Sequence, residues 1–420
     1  MKNSFNLIVL AAIAFSMFAC TAKEKAQEID FVVDNPEKLS GKNFGIVIER
    51  SQIEAKIAQI PTGELPYATD VNGEPIPSQA DDLNFDGEWD ELAILLDLDA
   101  ENDQKIRIKF AKAENYPDFP KRTNIRFAHK DGEEYHDLTE HTLPKDHSQM
   151  SPTMNYQMEG PAWENELAGY RTYFDPRNGF DIFGKKTRDM VMDRVGIDEN
   201  YHEMQSWGMD VLKVGNSLGA GALALHKDGT LYRLGEVEKQ TYRFISEGPV
   251  RALFDIVFEG WQVGDETIRA TRRIEIWAGS HGFNSYITLD GFTGQRDLVT
   301  GVVNMKSDTM RFTEYDNGTK SISTFDKQTE NLDNPDEYLG MALLVDGSDY
   351  INHGTTDTAG EGIINTYYVS LKAEATKPVK FAFVSAWEVQ DSAFATEEGF
   401  LEALKKESAK FKKVTLADLE

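Results

Sequence analysis

The segment Arg273-Ile274-Glu275-Ile276-Trp277 alternates polar and apolar residues one by one. Successive side chains of a strand point to opposite faces, so this period fits a sheet with one face on a core and does not fit a helix. Strand-forming runs recur at Phe44–Ile48, Lys105–Phe110, Ala252–Phe258 and Ser285–Leu289. Turn-forming pairs separate such runs, among them Asp228-Gly229, Gly248-Pro249, Asn317-Gly318 and Asp346-Gly347. Helical patterning is confined to Glu397–Lys413 and a short stretch, Gln52–Ile60. The expectation is a mainly β chain: an N-terminal β domain, then a large antiparallel β-sandwich, then a short C-terminal helix.

A chain of 420 residues is long enough for two or three domains. The stretch from 141 to 160 is polar, holds Pro144 and Pro152 and shows no period. It divides the chain into an N-terminal domain at 31–145, a sandwich at 150–390 that would carry the active site, and a helical tail at 391–420. The long strands of the second part resemble the large sandwich of mutarotases and of the non-helical domains of some polysaccharide lyases. Fold analogy of this kind carries no function by itself.

The single cysteine, Cys20, follows Lys2 and an apolar run from Leu7 to Ala19. A basic start, a short apolar core and a small residue before the cleavage point describe a secretory signal at 1–19. The run is too short for a stable membrane span. A cysteine at the head of the mature chain predicts lipidation at Cys20 and a polar tether through about residue 30. The chain is then expected as an exported outer-membrane lipoprotein, facing the periplasm or the cell surface. No cysteine is left for a disulfide, so packing must hold the fold. The net charge of −27 excludes nucleic acid as a partner, because phosphates need a basic surface.

The run from Asp82 to Glu91 places Asp82, Asn84, Asp86 and Asp90 at alternate positions around Gly87. Oxygen ligands in that pattern predict a structural calcium site, although Ala93 stands where a calcium loop needs a bidentate glutamate. Otherwise the run is an Asp- and Gly-rich hairpin turn. There is no His-Glu-Xaa-Xaa-His and no cysteine nucleophile.

Two neighbouring segments carry the remaining chemistry: Glu159–Lys186, and Tyr201–Gly221. They set Trp, Tyr, Arg, Lys, His and acidic residues among turn-forming glycines and prolines, a mixture suited to a charged sugar. On a strand, Arg171 and Tyr173 would share one face and Tyr170 the other. His202 is the best single proton-transfer candidate, since imidazole titrates near neutrality, with His353 as runner-up.

The same segments resemble the signature of a family of secreted lipoproteins encoded with polysaccharide-degrading enzymes in Gram-negative bacteria. Most members have no known function, and the family includes the ulvan oligosaccharide dehydratase. The resemblance implies removal of water from a glucuronate or iduronate at the non-reducing end of an anionic oligosaccharide, leaving a 4,5-unsaturated uronyl residue. It implies no required cofactor. Such an elimination needs a cation on the carboxylate, a base for the C5 proton and an acid for the C4 hydroxyl. Arg171 or Lys213 suits the first role, His202 the second, and Tyr173 or Tyr170 the third, with His and Tyr exchangeable. Trp163 and Trp207 would stack on the sugar; Glu164 and Asp210 would orient the cations or hold a metal. Two other readings remain at this point: a polysaccharide lyase acting on a uronate polymer, and a non-catalytic glycan-binding lipoprotein.

Overall fold

A computed structural model describes residues 28–35, 38–100, 104–145, 156–330, 337–412 and 415–417. The expected signal, the expected lipidation position Cys20 and most of the expected tether therefore lie outside the described residues. The described chain is mainly β, as its alternation predicts, and all its named strand pairings are antiparallel.

The N-terminal unit contains two small sheets. One is built around Ile29–Asp34, Gln104–Ala111 and Leu65–Thr69, the other from Gly41–Glu49, Glu91–Leu98 and Ser78–Asp81. Phe31, Ile46, Ile48, Leu92, Ile94, Ile106 and Ile108 close a core of their own between them. Strand Thr415–Ala417 returns to this unit and pairs with Val32–Asp34, so the two ends of the described chain meet in one sheet.

The sandwich has a nine-stranded sheet as one layer. Its centre is Arg251–Val263, Glu266–Trp277, Gly282–Asp290, Val379–Trp387 and Tyr338–Asp346, in that spatial order. Two five-stranded sheets pack on its inner face. One centres on Ala220–Lys227, Gln295–Val303 and Thr366–Glu374; the other on Ala162–Asn165, Gly169–Thr172 and Phe180–Lys185. All three contribute to one apolar core, in which Phe254, Ile274, Ile276 and Phe283 face Trp163, Tyr170, Val299 and Val369. The alternation of the opening segment is obeyed residue by residue: Ile274 and Ile276 are fully buried inward, while Arg273 and Glu275 lie on the outer face.

The domain boundary falls earlier than the sequence suggests. Thr123–Arg126 joins the small sheet beside Ala162–Asn165, and Glu140–Pro144 joins the nine-stranded sheet beside Lys239–Ser246. The N-terminal unit's own strands thus end at Ala111, not at 145. A polar, proline-containing stretch reads as a linker from sequence, yet strand pairing captures its described start through Pro144. The short N-terminal helix is one turn and a half, Arg50–Glu54. The C-terminal helix runs Glu397–Phe411, capped by the Thr396 side chain accepting from the Gly399 amide, with Glu397 and Glu398 in its first turn. Its residues Phe400, Leu404 and Phe411 pack on Ala342, Leu344, Ala382 and Val384 of the large sheet's outer face.

The N-terminal unit docks on the same outer face, next to the helix. Gly45 lies so close to Trp277 that an added Cβ would stand 2.5 Å from the indole ring. Gly45→Val is therefore expected to cost about 1–3 kcal/mol by overpacking. A lowered midpoint in thermal unfolding checks this; an unchanged midpoint would show that the two units are not held at this contact.

The run predicted to bind calcium folds as an amide-capped turn. Asp82 accepts from the backbone amides of Phe85 and Gly87, and Asp90 accepts from the Leu83 amide and the Asn84 side chain. Asn84 accepts from the Asp86 amide, and Asp86 from the Glu88 amide. Among the described residues, no three His, Cys, Asp or Glu side chains are grouped so as to hold a metal ion. The oxygens expected on a cation also accept from the loop's own N–H groups.

Candidate active site

The two chemistry-bearing segments meet on the outer face of the small sheet formed by Ala162–Asn165, Gly169–Thr172, Phe180–Lys185 and Gly208–Asp210. Register places Arg171 opposite Asp181, and Phe183 opposite Asp210. These side chains share the face away from the core, beneath the loop that runs from 186 to 207. That loop is anchored by Met192, Val195 and Trp207, which pack with Met158 and Phe183.

Arg171 is the centre of the arrangement and is fully buried. Its Nη2 is bonded to Asp181 and lies 3.3 Å from Asp210 Oδ2, and its Nη1 lies 3.3 Å from Glu159. The guanidinium also donates to two phenols: to Tyr201 from Nη1 at 3.1 Å and to Tyr173 from Nη2 at 3.3 Å. The rings of Tyr173, Phe183 and Tyr201 surround its Cζ at 4.7, 5.2 and 5.4 Å. Burial alone would pull the guanidinium down, but Asp181 and Asp210 hold it well above its ordinary value. Arg171 Nε and Asp181 Oδ1 are buried with no protein partner.

The cluster opens to solvent on one side. His202 is 56% exposed, with its Nδ1 3.6 Å from Asp210 Oδ2 and its ring 4.5 Å from that of Tyr201. Arg177 lies over the other phenol, 3.9 Å from the Tyr173 ring centre, and pairs with Asp175 and Glu159. Gly179 makes room for Tyr173: a Cβ there would sit 2.7 Å from its ring. Burial raises the Tyr173 and Tyr201 hydroxyls above the ordinary phenol value, so both are held protonated. Burial, and then the charge of Asp181, push Asp210 well above the ordinary carboxylate range.

That last shift has a testable sign. A carboxyl raised on folding keeps its proton longer in the folded chain than in the unfolded one. Its contribution to stability is full below the ordinary value of 3.8 and is lost as the pH rises through the folded value. Asp210→Asn stays neutral and keeps an oxygen for the Leu212 amide that Asp210 now caps. It is expected to be more stable than the parent at neutral pH, with the gain vanishing in acid. Urea unfolding at a series of pH values checks this; two parallel stability profiles would overturn it.

The structure brings together Arg171, Tyr173, His202 and Asp210, and separates the other predicted residues from them. Tyr170 points into the core and donates to the His281 carbonyl and shares a hydrogen bond with Ser385 Oγ, so it cannot act as the acid. Trp163 is fully buried between Phe254 and Phe283 and offers no face to a sugar. Trp207 is 6% exposed, packs on Phe183 and donates to Glu199. Glu164 is buried in an ion pair with Lys185, 2.5 Å away, and caps the amides of Val191 and Met192; it anchors the covering loop. Lys213 is exposed and pairs with Glu330. Arg171 is fully buried and already faces Asp181, Asp210 and Glu159, so its place is to organise the site and not to meet a substrate anion. The runner-up His353 sits elsewhere, stacked on Phe312 and bonded to Tyr350.

Residues that sequence reasoning passed over are Glu159, Asp175, Arg177, Asp181 and Tyr201, all within the same two segments. Asp181 had one available signal: it is an acid inside the otherwise apolar run Phe180–Phe183. Tyr201 had none beyond its place beside His202.

Comparison with known proteins gives little beyond family. The uncharacterized protein P7 of Formosa agariphila is 25% identical over 150 residues, which cover 31% of this chain and 37% of that protein. Among solved structures, an α-mannosidase from Enterococcus faecalis is similar at 11% identity and a TM-score of 0.45, over 92% of this chain and 45% of that one. A protein of glycosyl hydrolase family 38 from the same species matches at 10% identity and a TM-score of 0.46, over 94% of this chain and 47% of that one. The chain thus spans less than half the length of each of these proteins. The model of the domain of unknown function DUF4861 matches residues 33–415, and the chain belongs to that family.

Proposed function

We propose that the chain is a carbohydrate-active enzyme that eliminates water from a uronate at the non-reducing end of an oligosaccharide. One observation carries the reading: a single buried guanidinium donates to Tyr173 and Tyr201 and pairs with Asp210, whose outer neighbour is the exposed His202. Phenols held protonated and an imidazole at the solvent edge supply an acid and a base within one small cluster. The sequence holds no zinc motif, and Ser217 of the Gly215–Gly219 run, which matches Gly-Xaa-Ser-Xaa-Gly, is fully buried and bonded to the Val214 carbonyl and the Gly219 amide, which favours proton chemistry over nucleophilic attack.

The step balances with these groups. His202 takes the proton from C5, and the C–H electron pair becomes the C4=C5 double bond. The C4–O bond breaks, and the departing hydroxyl takes a proton from Tyr173 or Tyr201 to leave as water. Charge developing on the C6 carboxylate needs a cation at the rim. Arg177, 48% exposed beside Tyr173 and paired with Asp175 and Glu159, is the cation that reaches the rim. Asp210 orients His202, and Arg171 fixes the two phenols.

The finer proposals follow the same reading: an anionic polysaccharide such as ulvan as the source of substrate, and an outer-membrane lipoprotein held through Cys20. The reading is tested by incubating the protein with saturated uronyl oligosaccharides and following ultraviolet absorbance and mass. Gain of enoate absorbance with loss of one water and an unchanged number of sugars is expected. Chain cleavage in place of water loss would make it a polysaccharide lyase. No new absorbance with ulvan, pectin, alginate or glycosaminoglycan oligomers would overturn the proposal.

A further inference from the structure

The outer face of the nine-stranded sheet changes character along its length. Under the C-terminal helix it is apolar, with Ala342, Leu344, Ala382 and Val384 meeting Phe400 and Leu404. Beside the helix, where the N-terminal unit overhangs, the same face turns polar. Strand register sets Arg273, Tyr286 and Lys380 in one row across three strands, and Glu275 beside Asn284 in the next. A sheet face that is roofed only for packing is ordinarily apolar, because buried polar groups cost free energy unless they are satisfied. Here the roof stands off from the polar rows and leaves a cleft of about 710 Å³ between the N-terminal unit, the sheet and the helix end. That volume is within the range of small-molecule sites, which favour domain interfaces.

The polar rows are held rigidly. Glu275 accepts from Arg251 at 3.0 Å, from Asn284 at 2.8 Å and from Tyr286 at 2.9 Å. Arg251 is tied further to Asp81 and Glu91 of the N-terminal unit, and Arg273 is gripped by both oxygens of Asp255. Lys380 donates to the Phe411 carbonyl. Five Arg and Lys side chains and five Asp and Glu side chains line the cleft, so its lining is electrically neutral in a chain of net charge −27. Paired cations gain little from a free anion, whereas fixed donors and acceptors side by side, next to the Trp277 indole, suit a ligand rich in hydroxyl groups.

We propose that this cleft is a second carbohydrate site, which binds a stretch of oligosaccharide through its hydroxyls. The small sheet that carries Arg171 packs on the opposite face of the nine-stranded sheet, through Tyr170 against Phe283 and Phe383. The cleft is therefore separate from the proposed elimination site, and its occupancy is independent of turnover.

Calorimetric titration of the full chain with xylo-, cello-, rhamno- and glucurono-hexasaccharides tests this. At least one is expected to bind, with affinity changing less than about threefold between roughly 50 and 500 mM salt, because the lining has no net charge to screen. Thr271→Trp and Thr288→Trp place an indole in the cleft from half-buried strand positions and are each expected to weaken binding at least about tenfold. Their circular dichroism and melting should match the parent, and they should retain any elimination activity. His202→Ala should bind as the parent does, so loss of turnover with binding retained separates failure of the elimination reading from failure of this one. Absence of binding to all four probes, or undiminished binding in both folded Trp variants, would overturn the proposal. A steep salt dependence would replace it with an anion site.

Discussion

Replacing Arg171 with leucine is expected to destabilise the fold by about 3–5 kcal/mol, the usual cost of removing one partner from a buried ion pair. The magnitude follows from what is left behind. Asp181 is completely buried and depends on this guanidinium for its opposite charge, and Asp210, 4% exposed, loses the same neighbour. The phenols of Tyr173 and Tyr201 lose a shared donor at the same time. Leucine fills much of the stem's volume, so the loss reports charge and hydrogen bonding more than a cavity. The double variant Arg171→Leu, Asp181→Leu is expected to recover part of the deficit, since a buried pair replaced whole by apolar groups is often neutral. Denaturant unfolding of the parent, the single and the double variant measures this. A single-variant cost below about 1 kcal/mol would mean that the carboxylates are solvated and that the cluster is not the buried centre described above.

His202→Ala is expected to lower kcat for uronyl elimination by about a hundredfold to ten-thousandfold, the range for removing a positioned general base. Stability should change by less than about 0.5 kcal/mol, because the imidazole is more than half exposed and anchors no core contact. The pairing of those two readouts matters: a structural role would move both. Tyr173→Phe is the companion variant. It keeps the ring against Arg171 and beneath Arg177 and removes only the hydroxyl. If Tyr173 is the acid, its kcat falls with substrate affinity little changed; if Tyr201 is the acid, Tyr173→Phe stays within a few-fold of the parent and Tyr201→Phe takes the loss. Full activity in His202→Ala would remove the imidazole from the mechanism.

Much of the architecture was legible because strand alternation is a local signal. Phe44–Ile48, Lys105–Phe110, Ala252–Phe258, Arg273–Trp277 and Ser285–Leu289 all lie within strands of the structure. The domain boundary was not legible: Glu140–Pro144 has little apolar content and is a strand because Lys239–Ser246 offers it an open edge. The same division runs through the site. Local composition located the two segments and even the sharing of a face by Arg171 and Tyr173. Exposure is a property of the whole packing, so Trp163, Tyr170, Glu164 and Trp207 read as sugar-facing residues and proved to be interior ones. The cleft left no sequence signal at all, since its polar side chains occupy the positions that any solvent-facing strand would fill.

The amino-acid sequence by itself determined the mainly β class, the terminal helix and the pair of segments that meet around Arg171, because periodicity and residue type act over a few neighbouring positions. Tertiary structure alone decided which acids close on Arg171, which aromatic rings remain reachable, and where the N-terminal unit roofs a polar sheet face. Those outcomes depend on register and layer packing between residues far apart in the chain, and on the cost of burying charge, which only the assembled fold can set.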